Sequence, residues 1–283
     1  MSSYFRSYDL TISPKSGKAL SLIQNRDTPG LAIEFNIQKS DTEQSNPATV
    51  KIYNPNESTI AKIQASEFLR LEAGYHKKTG IILIGRINNT SVDINGSEVA
   101  VTIEVETRPP VPIQINKSLS KGSTNIQIID ELVKFIIDNL PEVEGKNPYV
   151  IPEIISYKSA VTLVGDPYEI LLQYLTPIKH IYIVDNGVIT ILPTGGFVLD
   201  SVINLSPSNG MIGSPHQIKE EIKGKDEKKQ GVEVKSILNH NFAPRRILNL
   251  TSKKASGRYT ISTVTFSGNS FSGDWITTVR AFV

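Results

Sequence analysis

Short stretches in which apolar and polar residues alternate dominate the first 108 residues of the chain. The clearest is Val99–Glu106, where valine and isoleucine occupy every second position and Ala100, Thr102, Glu104 and Glu106 lie between them. A period of two residues predicts a β-strand with one buried face and one face in water. A short helix is predicted over Glu57–Ser66. The other predicted strands are Tyr8–Ser13, Leu31–Lys39, Val50–Tyr53, Phe68–Tyr75 and Ile81–Asp93.

The period becomes helical in the middle of the chain. Thr124 and Gln127 form a capping box, and apolar residues follow at helical spacing up to Leu140. A second helix begins after Asp166, with proline at its first position, and ends at Thr176-Pro177. A hairpin is predicted next, with strands Ile181–Val184 and Val188–Leu192 around Asn186-Gly187. This segment is predicted to be a small α/β unit.

The pattern returns to strands from about Val202. The charged, glycine-flanked stretch Lys223–Gly231 is predicted to be a surface loop whose role stays open. Prolines in Arg108–Pro112 cannot donate hydrogen bonds to a sheet, so we expect a domain boundary there. The predicted strands are Ile203–Leu205, Val232–Leu238, Arg246–Thr251, Arg258–Phe266 and Asp274–Val283.

The fold predicted from this order is mainly β with an α/β insert. It consists of two tube-like β-barrel domains that flank a small α/β domain. The predicted domains are residues 1–108, 109–200 and 201–283.

The two β portions are predicted to be an internal repeat. The meander Phe68–Glu106 has the same order of strands and turns as the meander Arg246–Val283, and each has a basic turn ending in glycine. Upstream, Val50–Asn56 is similar to Val234–Asn241, with one residue inserted in the second.

Composition narrows the classes of function. The 283 residues carry a net charge of +2, which gives no reason to expect a dedicated nucleic-acid or membrane-surface partner. The absence of cysteine excludes disulfides and thiolate metal sites, and it fits assembly in a reducing cytosol. No apolar run approaches the roughly 20 residues that cross a bilayer.

A search for catalytic, cofactor-binding and metal-binding residues gives none. The histidines, His76, His180, His216 and His240, match no zinc, haem or triad spacing. The acidic pairs Glu104/Glu106 and Glu220/Glu221 lack the apolar setting that raises a catalytic carboxyl pKa. No glycine-rich nucleotide loop is present. We therefore predict that the chain is not an enzyme and needs no cofactor.

Two further features have alternative interpretations. The basic pairs are predicted to be solvated, and a few could meet acidic partners: Lys77-Lys78, Lys228-Lys229, Arg245-Arg246 and Lys253-Lys254. Trp275, the single tryptophan, is predicted to anchor a barrel core, with an interface hot spot as the alternative.

Several local patterns resemble the baseplate hub family of contractile-tailed phages, also known as the late-control family. Its distant relatives are the T-even phage hub and the N-terminal part of VgrG-type spikes. The resemblance extends from about Phe35 to the C terminus. The matching segments are Val50–Pro55, Leu69–Tyr75, Ile84–Ile87, Asn186–Pro193, Leu205–Pro207, Met211–Pro215, Val232–Asn239 and Gly257–Tyr259.

This resemblance implies a non-enzymatic structural protein of the virion tail baseplate, assembled in the host cytoplasm. It implies a homotrimer around a central channel, which joins a hexameric tail tube to a trimeric central spike and contacts other baseplate proteins. Two similar barrels in each of three chains would reconcile sixfold and threefold partners. DNA or a tape-measure protein would pass through the channel without specific binding, and no membrane insertion is expected. No spike or lysozyme domain follows Val283, so we expect any spike to be a separate polypeptide.

Two alternatives remain from the sequence. One is the hub of a tailocin or a secretion-type contractile particle, which differs in setting and hardly in mechanism. The other is a cell-wall hydrolase with its site at a barrel mouth, which would need two close carboxylates in a cleft.

Overall fold

Strands predominate in the structure, as the alternating pattern predicts. The computed structural model describes residues 5–14, 17–41, 46–76, 78–107, 114–198, 202–221 and 228–283. These residues form 18 strands and three α-helices. The mainly β fold with a helical segment in the middle is confirmed.

The first β portion contains seven strands and one helix. The helix α1 begins after the cap Asn56, whose side chain accepts a hydrogen bond from the Thr59 backbone N–H. The elements are β1 (Arg6–Ser13), β2 (Leu20–Gln24), β3 (Ile33–Ser40), β4 (Pro47–Tyr53), α1 (Glu57–Gln64), β5 (Phe68–Tyr75), β6 (Lys78–Asn95) and β7 (Glu98–Glu106).

The middle portion folds around its own core, which the apolar faces of two helices share with the hairpin. The predicted hairpin at Asn186-Gly187 is confirmed, and both turn residues have positive φ, as this turn requires. The elements are β8 (Ile115–Leu119), α2 (Asn125–Asn139), β9 (Gly145–Lys146), β10 (Val161–Gly165), α3 (Pro167–Leu175), β11 (His180–Asp185) and β12 (Val188–Pro193).

The second β portion contains six strands. One of them, β14, was not predicted, because Gly213 and Pro215 interrupt its alternating pattern. The strands are β13 (Val202–Leu205), β14 (Met211–Glu221), β15 (Lys228–Ile237), β16 (Ile247–Leu250), β17 (Gly257–Asn269) and β18 (Trp275–Phe282).

The capping box at the start of α2 is present as predicted. The Thr124 hydroxyl accepts from the Gln127 backbone N–H at 3.3 Å, and the Gln127 side-chain oxygen accepts from the Thr124 N–H at 2.9 Å. We expect Thr124→Ala to lower the free energy of unfolding by about 1 kcal/mol, because the Gln127 backbone N–H loses its acceptor. Thr124→Ser keeps the hydroxyl and is the matched control in urea denaturation. An equal loss in both variants would contradict the role of the cap.

The two β portions have the same strand pairing. In the first, β3 pairs with β4, β4 with β7, β7 with β6, and β6 with β5. In the second, β14, β15, β18, β17 and β16 pair in the same order. The similarity extends to a bulge, which falls between Ile87 and Asn89 in one portion and between Ile261 and Thr263 in the other.

Register also agrees with the predicted alignment of the repeat. Val50 lies opposite Ile103, and Val234 lies opposite Val279 at the corresponding position of the second portion. We call the two sets the first repeat, β3–β7, and the second repeat, β14–β18. Equal pairings, equal register and an equal bulge make the repeat a property of the fold.

The two repeats share one sheet. The second half of β17 pairs antiparallel with β3, from Thr263 opposite Ser40 to Asn269 opposite Glu34. The resulting 13-stranded sheet is an open path that ends at β14 and β2, and within the described residues neither repeat is closed into a barrel. The first and second β portions accordingly form one compact unit with a continuous core, and the middle portion forms another.

The predicted domain boundaries and the predicted loop at Lys223–Gly231 have different outcomes. The domain boundaries at 108/109 and 200/201 lie outside the described residues, and the three-domain division stays a prediction. Of the predicted loop Lys223–Gly231, the part before Lys228 also lies outside them. The prediction is wrong for residues 228–231, which belong to β15. All four pair with β14, Gly231 also pairs with Phe282 of β18, and a Cβ on Gly231 would lie 2.5 Å from the Ala281 carbonyl oxygen.

Candidate functional site

A continuous polar surface covers one side of the sheet that the two repeats share. Its residues lie directly across from one another on neighbouring strands, so they share a face: Asn36 opposes Thr49, Thr49 opposes Glu104, and Ser267 opposes Asn36. We call this surface the polar face. It contains Glu34, Asn36, Gln38, Thr49, Lys51, Tyr53, Asn89, Ser91, Asp93, Thr102, Glu104, Glu106, Glu233, Lys235, Thr263, Thr265, Ser267, Thr278 and Arg280.

The opposite side of the same strands forms the core. Val101, Ile103 and Val105 are buried, whereas Glu104 between them is exposed. The alternation predicted for β7 is therefore confirmed. Since side chains alternate strictly along a strand, burial of one face fixes which residues the polar face presents.

Charges of both signs are scattered over the polar face. Glu233 and Arg280 are cross-strand neighbours, with 3.7 Å between the Arg280 Nε and a Glu233 carboxylate oxygen. Glu104 lies between the uncharged partners Thr49 and Asn89. A surface of hydroxyls, amides and mixed charges gives neither an apolar patch nor a strong field of one sign.

One cluster on the polar face is linked by hydrogen bonding. The Tyr53 hydroxyl donates to a Glu34 carboxylate oxygen at 2.8 Å, and the Lys51 ammonium lies 5.0 Å from the centre of the Tyr53 ring. The hydrogen bond to Glu34, then partial burial and the negative charges of Glu34 and Glu98, raise the pKa of Tyr53 to about 12. A phenol with so high a pKa stays neutral at physiological pH, so this cluster orders the surface and holds no activated nucleophile.

The four histidines lie in unrelated environments. His180 is buried, with Nδ1 2.7 Å from the Ile178 carbonyl oxygen, and His216 lies on β14. His76 is in a turn with φ of 48°. His240 packs against the β5–β6 hairpin, where a Cβ on Gly80 would lie 2.3 Å from its Cδ2. Burial, and to a smaller extent the positive charge of Arg246, lowers the pKa of the His240 imidazole.

Among the described side chains, the acidic candidates do not form a catalytic pair. Glu104 is exposed on the polar face, and Glu106 accepts a hydrogen bond from the Asn88 amide at 3.3 Å. Glu220 is exposed on β14, and the Glu221 side chain lies outside the description. In the described part of the chain, no group of three or more histidine or acidic side chains could hold a metal ion.

Of the basic pairs, Arg245-Arg246 has structural partners. Arg245 forms an ion pair with Asp41 at 3.0 Å, and Arg246 donates to the Asn241 carbonyl oxygen at 2.6 Å. Lys253-Lys254 is exposed in the turn before β17, as predicted. Lys77 and the side chain of Lys228 lie outside the described residues.

Trp275 is a core residue, as predicted, and it holds the two repeats together. Its ring is 2% exposed and meets Phe35 edge to face at 5.0 Å between centroids. Its indole N–H donates to the Gly74 carbonyl oxygen at 2.9 Å. Phe35 and Gly74 belong to the first repeat and Trp275 to the second, so one side chain fixes the junction that makes the polar face continuous.

Gly268 allows Phe35 and Trp275 to pack closely at this junction. It lies opposite Phe35 and Trp275, and a Cβ there would be 2.4 Å from Phe35 Cζ and 2.7 Å from Trp275 Cε3. We expect Gly268→Ala to lower the free energy of unfolding by about 1–3 kcal/mol, the usual cost of overpacking a core. Gly145→Ala, where a Cβ meets nothing within 4 Å, is the matched control. Equal urea midpoints for the two variants would contradict the tight junction.

Comparison with solved structures identifies the fold. A tail protein from Neisseria meningitidis MC58 superimposes with a TM-score of 0.58 and 9% identity, over 99% of this chain and 97% of that one. The 43 kDa tail protein of prophage MuSo2 from Shewanella oneidensis gives a TM-score of 0.58 and 9% identity, over 98% of this chain and 96% of that one. The chain has the fold of a phage tail protein.

A secretion-system protein shares this tail-protein fold. The E. coli c3393 protein, a type VI secretion component with structural similarity to the T4 bacteriophage tail proteins gp27 and gp5, gives a TM-score of 0.55 and 12% identity. The match covers 91% of this chain and 75% of that one. No protein-family model and no curated protein matches the sequence. The predicted resemblance to phage tail proteins is confirmed at the level of the fold.

Among the described residues, no helix combines the length and apolar character needed to cross a membrane.

Proposed function

We propose that the chain is a non-enzymatic baseplate hub, a homotrimer that joins a hexameric tail tube to a trimeric central spike. The observation that carries the proposal is the repeat: one chain offers two sets of strands with the same pairing, register and bulge, joined edge to edge. Three such chains would present six similar surfaces to the tube and three identical chains to the spike.

The polar face would line the central channel of this trimer. Hydroxyls, amides and charges of both signs on a regular sheet offer little apolar area for a passing polymer to adhere to. This surface suits passage of DNA or a tape-measure protein without specific binding. Closure into tube-like walls would then require neighbouring chains, because the sheet of one chain is open at both ends.

The setting would be the tail baseplate of a virion, with other baseplate proteins as neighbours and assembly in the host cytoplasm. A contractile secretion particle is the second candidate, favoured by the likeness to a type VI secretion component. Both settings use the same trimeric adapter.

Electron microscopy of the purified protein tests the adapter. We expect class averages of a ring with threefold symmetry, six similar lobes and an open passage. A dimer, or a ring without a passage, would contradict the proposal.

The proposal also predicts no hydrolysis of cell-wall material. The purified protein should release no soluble product from peptidoglycan, because Glu104 and Glu220 lie exposed on strands and the histidines lie in unrelated environments. A lysozyme of known activity is the positive control. Turnover that one carboxylate substitution abolishes would overturn the structural role.

A further inference from the structure

Each repeat has a strand edge that is unpaired within the part of the chain that the structure describes, although the equivalent edge of the other repeat is paired. The strand β14 pairs only with β15, so its other edge ends the sheet. In β6, residues 78–86 pair with β5 on one edge, and residues 86–95 pair with β7 on the other. The Ile87 N–H still donates to the Glu67 carbonyl oxygen, so the open edge that faces away from β7 consists of residues 88–95. Open edges present unpaired N–H and C=O groups that can bind another strand.

The strands that correspond to these two edges in the other repeat are paired with each other within the chain. The bulges align Asn89 with Thr263, so residues 87–95 of β6 correspond to residues 261–269 of β17. The pairing orders align β14 with β3. Since β17 pairs with β3 within the chain, the fold already contains one example of the junction that these edges can form.

Burial of side chains distinguishes the occupied edge from the open one. On the core side of β17, Val264, Phe266 and Gly268 are all buried where β3 covers them. Their equivalents on β6 are Thr90 and Val92, which are only half-buried, and Ile94, which is 73% exposed. Valine and isoleucine in the core register at an open edge indicate that another strand covers this place.

We propose that β14 of one copy of the chain pairs antiparallel with residues 89–95 of β6 in a second copy. The internal junction fixes the register, because Phe266 lies opposite Ile37 and Thr265 opposite Gln38. Transfer to the equivalent strands places Val92 opposite Gln217 and Ser91 opposite Ile218.

Each copy has one edge of each kind, so the pairing joins two different surfaces of neighbouring copies. The interface is head-to-tail, and such interfaces close into rings when the rotation permits. If each junction between chains repeats the geometry of the junction within a chain, the repeats alternate around one axis. This inference rests on the proposed homotrimer and names the contact that would close it.

Paired cysteines test the register in the full-length protein, which has no cysteine of its own. In Val92→Cys/Gln217→Cys the two thiols lie directly opposite each other across the junction. Mild oxidation should link chains into covalent dimers and trimers, with no larger species on a non-reducing gel. The control Val92→Cys/His216→Cys moves one thiol to the other face of β14, where the Cβ vectors diverge, and should be linked about tenfold less.

A second pair guards against a variant that fails to fold. Ser91→Cys/Ile218→Cys tests the same register on the polar face, and circular dichroism of each reduced variant checks its folding. The mass of each reduced sample is measured by light scattering. A trimer in which neither opposed pair is linked more than the control overturns the strand pairing and leaves the proposed trimer intact. A protein that stays monomeric overturns both.

Discussion

Trp275→Ala is expected to lower the free energy of unfolding by about 3–5 kcal/mol, the range for removing a large buried aromatic side chain. The cavity would open between the repeats, because the indole contacts Phe35 and donates to the Gly74 carbonyl oxygen. Urea denaturation at fixed protein concentration, followed by circular dichroism, measures the loss.

Trp275→Phe is the matched variant, since it keeps a ring against Phe35 and loses the hydrogen bond to Gly74. We expect a smaller loss than for alanine. Unchanged stability together with failed assembly of the trimer would show that Trp275 acts at an interface and not in the core.

Ile103→Ala is expected to cost about 2–5 kcal/mol, because this fully buried side chain fills the core beneath the centre of the first repeat. Its neighbour Thr102 lies on the polar face and is only partly buried, so Thr102→Ala should cost less than about 1 kcal/mol. The two variants differ by one position in the same strand. Equal losses in urea denaturation would contradict the assignment of the buried and polar faces.

The sequence predicted the elements whose signals are local. The capping residues Thr124 and Asp166 mark the starts of α2 and α3, and the Asn186-Gly187 turn fixes its hairpin. The alternation in β7 predicted both its burial and the face that it presents. Each of these depends on interactions within a few residues, so a single segment contains the information.

Elements that depend on distant partners were missed or wrongly bounded. Gly213 and Pro215 interrupt the alternating pattern of β14, which is a strand because it pairs with β15. Residues 228–231 were predicted to lie in a charged loop, and they form a strand because they pair with β14.

The junction of β17 with β3 joins positions more than 220 residues apart, such as Asn269 and Glu34, and no local pattern indicates it. This junction is also why the two β portions form one unit with one open sheet. The repeat was visible in the sequence only as an order of strands and turns, together with the alignment of Val50 with Val234. The shared bulge and register came from the structure.

The mass of the native protein in solution tests the trimeric hub most directly. Light scattering coupled to size exclusion, over a range of protein concentrations, should give three times the 31.2 kDa mass of the chain. A single species at one or two chain masses across that range would contradict the hub.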